Sequence, residues 1–353
     1  MLNQENKSKP VRKSAKLKYR TCKLYFKRTQ MKKDNCVLLK ETRQNFCALK
    51  LPLIPANEIA QSFPDLEESF VSVEILNKDQ AQSGKESVFS VYIPELKTSC
   101  NMKLYPLEGN KLSPHYTALA KYASLKHPSI LQTIKFMDRY HVSFEKEIIS
   151  HSCVIWEKPL CDFGKILHSK VFLDDEKLMR TFFHQLVEGI EYMHSKGLPH
   201  GNLCIDGLCV GQDYSLKIDL VSGIINSSST ASNQKDQTQS DKFKDDIYSL
   251  GILLFVFKTG FLPFNKNHLL NGYDLAQLVQ EDPKTFWIVY NNLTLNMIKF
   301  SEDFKNLFIT LVSKTSRERL TMDDIKNDKW YSKKVYNSAQ VKFLLKDIEQ
   351  LCL

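Results

Sequence analysis

The feature that most limits the fold of this chain is a segment of helical periodicity between Asp174 and Lys196. Its apolar side chains recur at steps of four and three residues, at Leu178, Phe182, Leu186, Ile190 and Met193. That spacing gathers them on one face of an α-helix, and such a face is stable only when it packs against an apolar core. We therefore predict a buried amphipathic helix here, with further elements packed around it.

Length and composition allow one domain of moderate size with extensions. The chain has 353 residues, of which 42% are hydrophobic, enough to bury a domain of roughly 260 residues. No apolar run approaches the roughly 20 residues that a membrane span requires, and the amino terminus has no apolar secretory core. Nine cysteines form no C-x-x-C pair, which favours reduced thiols. We expect an intracellular protein, in the cytoplasm, with the nucleus as the open alternative.

The positive charge is concentrated at the amino terminus. Residues 1–50 contain 15 Lys and Arg against three acids, a net charge of +12, whereas the other 303 residues carry 34 basic and 37 acidic side chains. Such an arm could bind nucleic acid, an acidic protein or a membrane surface. A solvated tail, or a hairpin docked on the domain, is the open alternative.

The predicted helix runs into a loop of unusual composition. Residues 192–197 read Y-M-H-S-K-G, and residues 198–210 read L-P-H-G-N-L-C-I-D-G-L-C-V. The loop resembles the protein kinase catalytic loop, H-R-D-L-x-x-x-x-N, in which Asp is the base and Asn binds the second Mg²⁺. The resemblance implies that His200 is kept as a structural anchor, that Asn202 replaces the base and that Gly207 replaces the metal ligand.

A second metal-ligand position can be located by counting. In kinases the Asp of D-F-G lies about 18 residues after the catalytic Asp, and Leu220 lies at that distance from Asn202. Residues 216–222 read L-K-I-D-L-V-S, which resembles V-K-I-x-D-F-G with Leu220 in the place of the Asp. A shift of one residue would instead make Asp219 the ligand. The literal D-F-G at 162–164 precedes the loop, where the helix after the hinge should begin.

Two later segments extend the resemblance through the large lobe. Residues 246–254, D-I-Y-S-L-G-I-L-L, and the following T-G-F-L-P-F resemble the kinase D-x-W-S-x-G helix and its turn. The resemblance implies that Asp246 anchors the backbone of the catalytic loop. Residues 316–321, S-R-E-R-L-T, resemble the closing R-x-T segment and make Arg319 a third structural anchor. No A-P-E motif occurs, and the polar stretch 226–244 is expected to be a flexible remnant of the activation segment.

The smaller amino-terminal part retains strands but few functional groups. Residues 70–76 and 88–93 have the β-branched and aromatic content of strands, and Gly84 is the single glycine between them. Kinases place G-x-G-x-x-G there to close the backbone over phosphates. Lys103, on a predicted strand 99–105, stands near the nucleotide-pairing lysine of V-A-I-K. A surface lysine on an edge strand is the alternative.

The helix after this strand lacks the acid that would pair with Lys103. Residues 125–131, L-K-H-P-S-I-L, resemble the kinase L-x-H-P-N-I pattern and are expected to end the helix. Counting back from His127, the position of the pairing Glu is Ala118. Trp156, in V-I-W-E-K-P before the hinge, would narrow the nucleotide pocket as the gatekeeper residue.

These observations predict an α+β protein with a two-lobed, protein kinase-like fold, a small mostly-β N-lobe and a larger helical C-lobe. We expect a basic extension over 1–50, a linker over 51–68 and the kinase-like domain over 69–332, with lobes 69–158 and 159–332. A carboxy-terminal amphipathic helix over 333–353 would carry a stripe formed by Val341, Leu344, Leu345, Ile348 and Leu351. That stripe could enter a partner's groove or pack on its own large lobe.

The leading functional hypothesis is a pseudokinase, a kinase-like protein without catalysis that serves as a protein-interaction or structural scaffold subunit. Neither Gly207 nor Leu220 offers a side-chain oxygen to Mg²⁺, so we expect no catalytic residue, metal or cofactor, although Asp206 and Asp219 lie close by. One alternative is a weak or atypical serine/threonine kinase that binds ATP and Mg²⁺ with the help of Lys103. The other is nucleic-acid or polyanion binding through residues 1–50.

Overall fold

The structure is a computed structural model that describes residues 74–78, 88–93, 96–107, 111–144, 147–169, 172, 175–225, 238–264, 274–293, 297–313 and 320–346. Several predictions therefore fall outside the described residues. These are the basic arm, the linker, the glycine at 84, most of the polar stretch 226–244, the anchor Arg319, and Ile348 and Leu351 of the carboxy-terminal stripe.

The smaller lobe is built on a five-stranded antiparallel sheet. Its strands are β1 (Glu74–Lys78), β2 (Val88–Ile93), β3 (Thr98–Pro106), β4 (Thr133–Phe144) and β5 (Glu147–Glu157). Their order is β1-β2-β3-β5-β4, which makes β3 the central strand. Because side chains alternate along a strand, Cys100 and Met102 point to one apolar cluster on the outer face. Asn101, Lys103 and Tyr105 point to the other face, toward the large lobe.

Helices make up most of the larger lobe. They are α2 (Phe163–His168), α3 (Glu176–Ser195), α4 (Leu220–Ile225), α5 (Gln239–Thr259), α6 (Leu275–Glu281), α7 (Pro283–Leu293), α8 (Glu302–Leu311), α9 (Met322–Asn327) and α10 (Ser338–Leu345). A small sheet of β6 (Cys161–Asp162), β7 (Leu208–Val210) and β8 (Leu216–Ile218) completes the lobe. The predicted α+β class with a small sheet lobe and a larger helical lobe is confirmed.

Helix α3 is the buried helix that the periodicity predicts. All five residues of its stripe are no more than 1% exposed. Asp175 caps its amino terminus by accepting a hydrogen bond from the N–H of Leu178 at 2.9 Å, which satisfies one of the free donors of the first turn. Helix α3 therefore forms the centre of the large-lobe core, and the loop that follows it starts from a fixed point.

Two helix boundaries differ from the predictions. The small-lobe helix α1 (Pro114–Ala120) ends before Leu125, because the next residues close tighter turns, with Leu125 N–H donating to Tyr122 O at 3.1 Å. Helix α5 begins at Gln239 rather than near Asp246, so residues 239–244 are helical and not part of a flexible remnant. Its start is fixed by a capping box in which Thr238 and Asp241 bind each other's backbone N–H groups.

The lobes are held together by contacts on either side of the loop. The hydroxyl of Tyr122 donates to the carbonyl of Pro199 at 2.8 Å, and the ring of His127 stacks on that of Tyr192 with centroids 5.0 Å apart. The N–H of Leu131 donates to Ile218 O at 2.9 Å. These contacts fix the segment after α1 against the catalytic-loop region.

The carboxy-terminal helix α10 packs on its own lobe. Val341 and Leu345 are 2% and 1% exposed and belong to the large-lobe core, and Leu344 packs against it. The described part of the predicted stripe is thus used within the chain, which favours the second of the two alternatives left open above.

Close helix packing makes Gly251 a sensitive position. A Cβ atom there would lie 2.8 Å from both Leu311 Cβ and Val312 Cγ1, closer than packed carbon atoms tolerate. We expect Gly251→Ala to lower the free energy of unfolding by about 1–3 kcal/mol, measured by urea denaturation followed by circular dichroism.

Gly164 is the matched control, because a Cβ atom there meets nothing within 4 Å. In helix α2, Gly164→Ala should be neutral or slightly stabilising. Equal stability of the two variants would contradict the packing of α5 against α8.

Candidate functional site

The loop after helix α3 is held by one buried carboxylate. Asp246, on α5 and 1% exposed, accepts hydrogen bonds from the backbone N–H groups of His200 and Gly201, each at 2.8 Å. His194 Nε2 lies 2.8 Å from Asp246 Oδ2 and must donate, because a carboxylate only accepts. The structure thus brings together Asp246 and His200, while His194, at the end of α3, is a partner that the sequence reasoning missed.

The loop itself turns at a glycine with left-handed backbone geometry. Gly201 has φ +77°, and no atom lies within 4 Å of the position of a Cβ. The next residue, Asn202, is half-buried and donates its N–H to His200 Nδ1 at 3.3 Å. His200 Nε2 is buried without a hydrogen-bond partner, and burial lowers the pKa of His200, with Asp246 acting in the opposite direction. His200 is therefore neutral and structural near neutral pH.

The two positions that the resemblance aligns with kinase metal ligands, Gly207 and Leu220, lie close together. Gly207 ends a 3₁₀ turn (Ile205–Gly207), and its carbonyl accepts the N–H of Asp219 at 2.8 Å, just before Leu220. Leu220 is 4% exposed and belongs to the large-lobe core. The segment that would present a carboxylate to Mg²⁺ presents an apolar side chain to the core instead.

The neighbouring carboxylate of Asp219 is engaged at the start of helix α4. Its Oδ1 accepts the N–H groups of Val221 and Ser222 at 2.9 and 3.1 Å, and its Oδ2 accepts the Ser222 hydroxyl at 2.8 Å. Burial raises the pKa of Asp219, while the bonds from Ser222 and Val221 and the charge of Lys103 act in the opposite sense. This carboxylate serves as a helix cap.

Lys103 is not a surface residue, so the alternative of an edge-strand lysine is wrong. It lies on the central strand β3, between Val88 of β2 and Val154 of β5, and is 7% exposed. Its ammonium nitrogen is 5.4 Å from the centroid of the Tyr105 ring. The strand order explains the difference, because pairing on both sides buries a position whose local sequence carries no sign of it.

Helix α1 offers Lys103 no acid. Ala118 is half-buried, and the buried residues of the helix are Tyr116 and Leu119. The ring of Tyr116 packs edge-on against Tyr105 at 6.0 Å, and its hydroxyl donates to Asp138 Oδ1 at 2.8 Å. Aromatic packing therefore occupies the contact between this helix and the sheet.

The connector between the lobes reaches across the cleft face of the sheet. Lys158 Nζ donates to Ser90 Oγ on β2 at 2.9 Å. Its backbone carbonyl accepts the side-chain N–H of Gln212 at 3.3 Å. Beside it, Trp156 is 2% exposed and faces Asn101 across β3 and β5. Sequence reasoning missed Lys158, because an isolated lysine in a connector carries no signal of its target.

The described side chains form no cluster typical of a metal centre. Within the described ranges, no group of three or more His, Cys, Asp and Glu side chains could hold a metal ion. Asp206 is exposed on the 3₁₀ turn, and Asp219 is engaged as described. Gly207 and Leu220, at the positions that the resemblance aligns with the kinase Mg²⁺ ligands, carry no side-chain oxygen. In the same part of the chain, no helix is long and apolar enough to cross a membrane.

Two sequence predictions concern residues outside the described part of the chain. Arg319 and the basic residues 1–50 lie outside the described residues, so neither the third anchor nor polyanion binding is tested. Both remain predictions.

Replacing Asp246 by Asn should loosen the catalytic loop. The amide keeps one acceptor but turns an NH₂ group toward N–H donors, so we expect a loss of about 2–3 kcal/mol of stability. Faster hydrogen exchange at the amides of His200 and Gly201 would report it.

The matched control is Asp206→Asn, which changes an exposed carboxylate on the neighbouring turn. Exchange at the loop amides should be unchanged in that variant. A similar acceleration in both variants would contradict the role of Asp246.

Comparison with curated proteins finds similarity to plant kinases. The chain is 26% identical over 227 residues to CBL-interacting protein kinase 26 of Oryza sativa subsp. japonica, and the aligned region covers 59% of this chain and 41% of the relative. It is 27% identical over 244 residues to CBL-interacting serine/threonine-protein kinase 14 of Arabidopsis thaliana, covering 63% and 49%. The chain spans less than half the length of these relatives, and no family model matches it. Together with the two-lobed architecture, these similarities show that the chain carries a protein kinase-like domain.

Proposed function

We propose that the chain is a catalytically inactive, kinase-like protein that acts as a protein-interaction or structural subunit. The observation that carries the proposal is the state of Asp219. It is the carboxylate next to Leu220, and its oxygens already accept three hydrogen bonds from the start of helix α4. Asp219 would be the metal ligand if the alignment to kinases were shifted by one residue. Metal binding through these oxygens would then compete with the hydrogen bonds of the cap.

Rate arguments explain why the metal positions matter more than the base. A general base contributes about 10²–10⁴ in rate, so Asn202 alone would leave a slow enzyme. Phosphoryl transfer depends chiefly on positioning and on metal ions that neutralise the developing charge. Gly207 has no side chain and Leu220 has no side-chain oxygen, so neither offers the side-chain ligand that kinases use at these positions.

The kinase-like features that this chain retains are contacts that stabilise the fold. Asp246 fixes the loop, and the buried stripe of α3 forms the core. A stable scaffold without transfer chemistry is suited to binding, and the relatives are named for interaction with CBL proteins. We infer that this chain also has protein partners, without assigning their identity from the relatives' names.

A nucleotide titration tests the proposal directly. The full chain is titrated with ATP, with and without Mg²⁺, and its thermal unfolding is followed. A ligand at one hundred times its Kd stabilises a protein by about 2.7 kcal/mol, a readily measured shift. We expect no Mg²⁺-dependent stabilisation, because the residues at 207 and 220 offer no side-chain ligand.

Saturable stabilisation by ATP that requires Mg²⁺ would contradict the proposal. The triple variant Asn202→Asp, Gly207→Asn and Leu220→Asp is titrated in parallel as a comparison. Metal-dependent binding in the wild type that equals that of the triple variant would show that other groups hold the metal.

The position of Lys103 supports a second candidate function, that of a weak or atypical serine/threonine kinase. Lys103 is buried on the cleft face of the central strand, where the resemblance places the nucleotide-binding lysine of kinases. This candidate predicts slow transfer from radiolabelled ATP to a generic acceptor protein.

Lys103→Ala should abolish that transfer, whereas Lys121→Ala, which changes an exposed lysine after α1, should leave it intact. Absence of transfer in the wild type, or equal transfer in both variants, would contradict this second candidate.

A further inference from the structure

Helix α10 has one face in the core and another that exposes an aromatic side chain. Val341 and Leu345 fix it to the large lobe, while Phe343 is 79% exposed. Phe343 lies at the edge of a groove, here called the carboxy-terminal groove, lined by Tyr336, Asn337, Ala339, Gln340, Phe343 and Leu344. An exposed aromatic beside a concave surface is typical of a binding site rather than of packing.

The walls of this groove are fixed by their own contacts. Tyr336 donates its hydroxyl to Asp175 Oδ2 at 3.0 Å and its N–H to Thr181 Oγ1 at 2.9 Å, and Lys177 Nζ lies 4.0 Å from its ring centroid. Asn337 and Gln340 form a capping box at the start of α10. A groove that is already ordered loses little conformational entropy when a partner binds.

The segment that forms the groove is strongly basic. Residues 329–346 contain no acid and five exposed lysines, namely Lys329, Lys333, Lys334, Lys342 and Lys346. Lys333 is paired with Asp303 at 2.6 Å, and Asp175 is engaged by Tyr336. Asp347 and Glu349 follow in the sequence, outside the described residues. Lys342 and Lys346 are exposed on either side of Phe343 along the chain, and Lys342 Nζ lies 5.7 Å from the centroid of the Tyr214 ring. Positive charge therefore lies near Phe343, next to a largely apolar groove.

We propose that the carboxy-terminal groove docks an acidic peptide segment of a partner protein. An apolar side chain of the peptide would contact Phe343 and Leu344, and its flanking carboxylates would lie near Lys342 and Lys346. This gives the interaction role proposed above a surface and a partner chemistry, and it does not depend on whether the cleft binds nucleotide.

The shape of the site favours a peptide over a lipid surface. A membrane-binding helix lays a broad apolar face into the bilayer, whereas the apolar face of α10 is buried in the core. A groove with the exposed Lys342 and Lys346 on either side of Phe343 along the chain suits an apolar anchor with acidic neighbours, because opposite charges raise the association rate and fix the register.

The test uses the full chain and a fluorescein-labelled synthetic peptide rich in Glu, with Leu on two successive helical turns. Binding is followed by fluorescence anisotropy at low and at physiological salt. We expect saturable binding that Phe343→Ser weakens by about tenfold or more, as for an interface anchor. Phe261→Ser is the matched control, because Phe261 is also exposed, at 67%, but lies after helix α5.

The charge contribution is tested in the same way. Lys342→Glu with Lys346→Glu should weaken binding and reduce its salt dependence, whereas Lys121→Glu with Lys126→Glu, both exposed near α1, should not. Because residues 1–50 carry a net charge of +12, the readout is the difference between these paired variants. A second peptide with Gln in place of Glu should bind the wild type weakly.

Three results would overturn the proposal. The first is that the acidic peptide shows no saturable binding. The second is that Phe343→Ser and Phe261→Ser weaken its binding equally. The third is that the chain binds phosphatidylserine vesicles in a Phe343-dependent way but does not bind the peptide. None of them bears on the nucleotide titration, so the two proposals can fail separately.

Discussion

The buried carboxylate of Asp246 organises the centre of the molecule. Two successive backbone N–H groups of the loop and one histidine of helix α3 converge on it. Charge-assisted hydrogen bonds of this kind are roughly twice as strong as neutral ones and hold their partners in a narrow geometry. The loop is therefore held by contacts with the large lobe.

In the same region a carboxylate caps a helix beside a position that the resemblance aligns with a metal ligand. Asp219 stands beside the position from which kinases hold Mg²⁺, yet its oxygens are occupied by the first turn of helix α4. The helix dipole and the free N–H groups of that turn favour a negative charge there. Leu220 in turn completes the core. Helix start and core packing use the residues that a catalytic site would need.

Local patterns predicted the elements that depend on local physics. The stripe of α3 and the strand β2 were readable from periodicity and residue type, and the fold class followed from the resemblance to protein kinases. The burial of Lys103 could not be predicted in this way, because it depends on the pairing of β3 with β5. Val154, the partner of Lys103 on β5, lies about 50 residues further along the chain. The contact of Lys158 with Ser90 joins residues that are 68 positions apart in sequence. The start of α5 could have been found, since Thr238 and Asp241 form a recognisable capping box.

The backbone of Gly201 limits which side chains the loop accepts. With φ +77°, this position costs an L-residue roughly 1–2 kcal/mol that glycine avoids. A carboxylate introduced at 220 would meet the apolar core and be costly to ionise there. Substitutions that bring these two positions closer to H-R-D and D-F-G are therefore expected to reduce the stability of the fold.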